Sequence, residues 1–236
     1  MKANNDFQRT RLFPVTLTLT GILMGLVLAL LAAWADYEST AYGFVRQAQA
    51  PFQGLICPVF IGRNERKIVS IEISNPTDQT LSPGVRVQIS TPSEPDSKLE
   101  HITLTPGEQI TLHRTVGPEN VDLGMFIFVN ALVYSTYPLP DRETTCGVLV
   151  VPLANGVHFL LLGTAISISL MAAGIYMLYK RDRPGPRSLL FMVVASILAM
   201  TFSFIGWWLA GVVLIVVLIL TILIRAGAFL TQQGEM

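Results

Sequence analysis

Three histidines, two cysteines and a scatter of carboxylates are the residues of this 236-residue chain that could carry chemistry. His101 and His113 flank Pro106-Gly107 with the same outward parity as Thr103 and Thr111, a spacing that could bring two imidazoles together on a metal. The pattern offers no third ligand, and the two read as surface histidines. His158 stands at the mouth of an apolar run, where an imidazole could ligate a haem or chlorin. No other such run supplies a partner histidine, so an interfacial position is expected. Glu94, Asp96 and Glu100 could offer oxygens to calcium, but without the spacing of an EF-hand loop. The chain contains no G-x-S-x-G, P-loop, H-E-x-x-H, dinucleotide glycine fingerprint or C-x-x-C-H. The expectation is a non-enzyme with no catalytic residue, metal or cofactor.

Two cysteines are too few for a thiolate zinc site or an iron–sulfur cluster. Cys57 and Cys146 bracket one stretch of chain, and outside a reducing compartment they are expected to pair. The alternative is two free buried thiols. No tryptophan lies between them, so the hallmark of an antibody domain is missing.

The chain is 51% hydrophobic and 14% charged, with zero net charge and a mean hydropathy of +0.54. Soluble domains carry about 25% charged residues. The composition therefore points to lipid as a partner, and the balanced charge gives no reason to expect nucleic acid. A bilayer core of about 30 Å needs about 20 apolar residues of helix. Residues 12–34 form a first uncharged span behind a short N-terminus, 1–11, and residues 157–179 form a second. Leu189–Ile224 is one apolar run that would be about 54 Å long as a single helix at about 1.5 Å per residue. Splitting it at Gly206 gives helices over 188–205 and 207–224, so four transmembrane helices are expected, with a tail over 225–236.

Topology follows from lysine and arginine near the helix ends. Lys2, Arg9 and Arg11 precede the first span; Lys180, Arg181, Arg183 and Arg187 occupy the loop 180–187; Arg225 follows the last span. These eight basic residues meet three acids there, whereas the region between the first two spans holds eight basic residues and thirteen acids. Both termini are expected in the cytoplasm and residues 35–155 outside, in what would be a bacterial cytoplasmic membrane. Trp34, Tyr37, Trp207 and Trp208 then fall at the outer surface, and Tyr176 and Tyr179 at the inner one. Span 12–34 is read as a retained signal anchor. The alternative is cleavage near Ala33-Trp34-Ala35.

No span has an ionisable residue in its middle, which argues against ion and proton pathways. Small residues recur instead at four-residue spacing: Gly21 and Gly25, then Ala165, Ser169 and Ala173, then Ala195, Ala199 and Ser203, then Gly206 and Ala210. Such faces allow close helix approach in lipid. The run from Val212 to Leu223 is expected to face lipid.

After a linker over 35–53, residues 54–153 change to period-two alternation broken by turns. Val69, Ile71 and Ile73 alternate with polar residues, and so do Val85, Val87 and Ile89. Met125–Tyr134 is nearly unbroken, as a central strand would be. Seven short strands are expected, opening with Gly54–Phe60 and closing with Cys146–Val151, in an all-β immunoglobulin-like sandwich inserted between the first two helices.

Ile73-Ser74-Asn75-Pro76-Thr77-Asp78, followed by Leu104-Thr105-Pro106-Gly107-Glu108, resembles the strand–turn–strand pattern of bacterial CARDB-like and related Ig-like modules. With the four helices, the chain resembles uncharacterised bacterial multipass membrane proteins bearing such a domain. Those modules are adhesive or architectural, and the resemblance implies a non-catalytic role by analogy. The functional expectation is an accessory or scaffold subunit of a membrane complex, docking other membrane subunits through its exported sandwich. The alternative is an exported module that binds a ligand or the cell envelope.

Overall fold

Val69, Ile71 and Ile73 alternate with polar neighbours because one face of their strand meets a core and the other meets solvent. All three are buried. The computed structural model describes residues 2–44, 48, 50–134, 139–180 and 187–234. In chain order the elements are α1 (Lys2–Ala41), β1 (Ala50–Pro51), β2 (Leu55–Ile56), β3 (Phe60–Gly62), β4 (Lys67–Ser74), β5 (Gly84–Ile89), β6 (Asp96–His101), β7 (Gln109–Val116), β8 (Phe126–Tyr134), β9 (Arg142–Val151), α2 (Gly156–Tyr179), α3 (Arg187–Phe204) and α4 (Trp208–Gly234). They fall into two compact units, residues 34–159 and residues 1–33 with 160–236.

The first unit is a β-sandwich. One sheet runs β1-β9-β8-β5-β6, with β3 also on β9, and the other runs β2-β4-β7. Its core gathers Val69, Ile71 and Ile73 of β4, Val85, Val87 and Ile89 of β5, and Ile127, Val129, Ala131 and Val133 of β8. The strand expected over Gly54–Phe60 is divided. The chain runs parallel to the start of β9 as β1, leaves to pair with β4 as β2, and returns to the end of β9 as β3.

One strand arises that no sequence pattern announces, and one expectation is corrected. Residues 96–101 form β6, although nothing there alternates, because β6 is an edge strand exposed along its length. Charge on such an edge discourages pairing with another chain. Ile102 and Leu104 are in no strand, and Leu104 makes only an isolated bridge to Leu81. Residues 35–41 are also no linker. They continue α1 and lie on the outer face of β8 and β9, with the Trp34 ring edge-on to Phe126 at 5.6 Å. A β-carbon on Gly147 would sit 1.8 Å from the Ala35 carbonyl oxygen, so this helix end packs directly on sheet backbone. Strand β8 is thereby buried on both faces, which explains its continuous apolar run.

The second unit is helical. Four helices are present, and Gly206, at φ +81°, makes the turn between α3 and α4 where the split was expected. Among the described residues two helices, Phe13–Ala41 and Gly156–Tyr179, are long and apolar enough to cross a membrane. Leu189–Phe204 and Trp208–Ile224 are shorter apolar helices, so the expectation of four spans is not met on length. The tail expected over 225–236 is instead helical to Gly234, since no proline interrupts α4.

Candidate functional site

The structure separates the candidate metal ligands. His101 ends β6 opposite Gly84 in one sheet, while His113 lies in β7 opposite Ser70 in the other, its Nδ1 3.2 Å from the Ser70 hydroxyl. Asp96 and Glu100 belong to β6 and form no loop with Glu94. Glu100 accepts from Arg114 at 2.8 Å and Lys98 at 3.1 Å, and these hydrogen bonds hold its carboxyl below the ordinary value. His158 is in the first turn of α2, where its N–H donates to the Asn155 side chain at 3.1 Å. Among the described residues no group of three His, Cys, Asp or Glu side chains is arranged to hold a metal.

Cys57 and Cys146 form a disulfide, with Cα atoms 6.5 Å apart. Cys146 is on β9, in the gap between its pairing with β1 and with β3. Cys57 is not in the first strand. It follows β2, where the chain crosses back between sheets, so the bridge staples that crossing to the core face of β9.

In the helical unit the small residues differ in what surrounds them. A β-carbon on Gly21 would lie 2.8 Å from both Met171 Cγ and the Ser167 carbonyl oxygen, and one on Gly25 would lie 2.9 Å from Ser167 Oγ. The groove is therefore filled from the same chain, by α2 at Gly21 and by α2 together with Ser196 and Met200 of α3 at Gly25, and Ser167 Oγ donates to the Gly21 carbonyl at 2.8 Å. The stripe named on α2 is out of phase. Ala165 and Ser169 are exposed and Ala173 half-buried, while Gly163, Ser167, Met171 and Gly174 are buried. On α3, Ala195, Ala199 and Ser203 are buried. Gly206, in the turn before α4, is exposed, and Ala210 on α4 is half-buried; Gly211 makes the contact, directly against Ser203.

Of the residues expected to set topology, Lys180 and Arg187 are exposed at helix ends, and Arg181 and Arg183 lie outside the described residues. Trp207 is exposed and stacks on Phe202 at 5.8 Å beside the α3–α4 turn.

A cleft of about 210 Å³ opens at the end of the sandwich away from Gly156. Phe52, Ile73, Leu81, Leu104 and Val133 give it an apolar floor, and Arg142, Gln109 and Glu72 also line it. Arg142 opens β9 with the same parity as Cys146 and Val148, both on the core side, so its side chain starts toward the space between the sheets. Gln109 donates to Glu72 at 3.3 Å. Beside the cleft, buried Asn75 donates to the carbonyls of Gln79, Leu104 and Thr105 at 2.7, 3.1 and 3.1 Å, while its own carbonyl oxygen accepts from Thr77. One asparagine thus locks two turns together. None of this cleft was expected from sequence: Arg142 is an isolated arginine there, and only the strand register reveals where it faces.

No family model matches the chain, and no curated protein matches it. Among solved structures it is similar to a CARDB domain from Pyrococcus furiosus, crystallised in complex with di-metal ions. That match has 19% identity and a TM-score of 0.34, and covers 46% of this chain and 98% of the domain. The solution structure of the same domain matches at 21% identity and TM-score 0.34, covering 44% and 99%. Alpha-2-macroglobulin of E. coli matches at 21% and TM-score 0.34, over 42% of this chain but 6% of its own. The sandwich itself rests on the strand order and registers above.

Proposed function

We propose that this chain is a membrane-embedded, non-catalytic accessory or scaffold subunit whose sandwich is displayed outside the cytoplasm as a docking surface. The observation that carries the reading is the inverted polarity of the helical unit. Its buried positions include the hydroxyls of Thr18, Ser167, Ser196 and Ser203, while Leu161, Leu190, Val213 and Leu223 are exposed. A water-soluble bundle places these classes the other way round. Lipid as solvent accounts for both, because it accepts leucine outside and rewards small or hydrogen-bonding residues between helices. On this reading all four helices are in the membrane, and the basic segments keep both termini in the cytoplasm.

The sandwich face available for docking is the outer side of β2-β4-β7. Ile56 and Ile68 stand there 55% and 60% exposed, on the same face as Ser70, Thr111 and His113. Purification of the full chain from its native membrane in mild detergent tests the proposal. A partner at fixed stoichiometry should be retained by the native chain and lost when Ile56→Lys and Ile68→Lys are combined. A chain that purifies alone, or a partner indifferent to both substitutions, would overturn it.

The cleft favours a second reading, an exported ligand-binding module anchored by the bundle. A pre-formed concave site with an apolar floor and few polar groups is the usual form of a small-ligand site.

A further inference from the structure

We propose that the cleft at the end of the sandwich binds a carboxylate carried on a short, branched apolar body, with Arg142 reading the carboxylate. The inference rests on the ligand-binding reading and is independent of whether a membrane partner exists. Its first support is the floor: Phe52, Ile73, Leu104 and Val133 are nearly or fully buried, yet they border open volume. The volume, about 210 Å³, suits a branched aliphatic group rather than a sugar chain or a folded partner.

The second support is charge. Arg142 is half-buried at the cleft and forms no ion pair among the described residues. The other guanidinium on an inner sheet edge, Arg114, has its carboxylate in Glu100 at 2.8 Å. A half-desolvated guanidinium without a counter-ion is costly, and a planar carboxylate answers it with two parallel hydrogen bonds. Glu72, the remaining charge, starts from the opposite parity to Ile73 and is engaged by Gln109 at 3.3 Å. The lining thus carries two charges of opposite sign, and of these Arg142 is the one that starts from the core face of its strand. Apolar floor and guanidinium together select an amphiphilic monoanion, which could be a free branched-chain acid or the C-terminal residue of a polypeptide.

The test uses the full chain in detergent or nanodiscs, with isocaproate, isocaproamide, and acetyl-Ala-Ala-Leu with a free or an amidated C-terminus as probes. Each acid should bind at least tenfold more tightly than its amide by calorimetry or ligand-observed magnetic resonance. Arg142→Met should abolish that preference, with the Cys57–Cys146 bridge and thermal midpoint confirming that the sandwich remains folded. Tighter binding of the free peptide acid than of isocaproate assigns the site to polypeptide C-termini, and the reverse order assigns it to a small acid. No binding of either acid overturns the proposal. Equal binding of acid and amide by the native chain also overturns it, and that comparison needs no variant to fold.

Discussion

Glu65 is one of thirteen acids between the first two apolar runs, and nothing in its neighbours distinguishes it. In the fold its carboxylate accepts N–H groups of Gly62 at 2.9 Å and Gly156 at 2.8 Å and pairs with Lys67 at 2.9 Å. It thus fastens the β3 turn to the first residue of α2. Burial alone would push its pKa up, but the Lys67 ammonium and the two N–H donors outweigh burial and hold it at about 2. Because this lies below the ordinary 4.5, the ionised form stabilises the fold at neutral pH, and that contribution fades as pH falls from about 4.5 towards 2. Glu65→Gln should cost roughly 1–3 kcal/mol at pH 7, the range for hydrogen bonds to a charged group. The gap between variant and native chain in thermal unfolding should narrow as pH drops below 4.5; a gap independent of pH would show that the charge is not what matters. Asn75 is the contrasting residue. Its motif with Pro76 and Thr77 marks a turn in the sequence, but the Leu104 and Thr105 carbonyls it satisfies are set by tertiary approach and leave no local signal.

Among the elements, those with at least one buried face were legible. β4, β5 and β8 lie where alternation or a continuous apolar run places them, and the apolar run 189–224 turns at Gly206. β6 was not legible, because an edge strand with no buried face has no pattern to impose. The phase of the α2 stripe failed for a related reason. Gly163, Ser167 and Gly174 are as small as Ala165, Ser169 and Ala173, and composition alone cannot choose between stripes on one helix. The Gly21 and Gly25 seam chooses. A matched pair of substitutions checks it: Gly21→Leu, which meets Met171 and Ser167 within 2.8 Å, should destabilise the helical unit by roughly 1–3 kcal/mol. Ala165→Leu, on the exposed face, should stay within about 0.5 kcal/mol. Thermal unfolding in detergent reads both. Equal effects would mean that the α1–α2 seam is elsewhere.

For the whole molecule, charge and helix length pull on the same question from different sides. On the proposed topology, the eight basic residues of the terminal segments and short loop would keep those segments on one side of a membrane. Since α3 and α4 form a hairpin, Arg225 returns to the side of Arg187 whether the hairpin crosses the bilayer or only enters it. Length must then decide. α3 has 18 residues, about 27 Å at about 1.5 Å per residue, which is just short of a core of about 30 Å. On the proposed four-span reading, exposed Trp207 and the neighbouring Trp208 and Ile205 at the turn would be the interfacial anchors that let a slightly short helix reach the far surface. Reporter fusions after Arg183 and at the C-terminus should therefore read cytoplasmic, and an insertion within residues 91–97 should read exported. The decisive position is the turn. With Cys57 and Cys146 already bonded to each other, Ile205→Cys introduces the only free thiol of the described chain. A membrane-impermeant maleimide should label it in intact cells without permeabilisation. If labelling requires opening the membrane, the hairpin re-enters from the cytoplasmic side, the chain has two spans, and Trp207 sits at depth in the bilayer rather than at its outer surface.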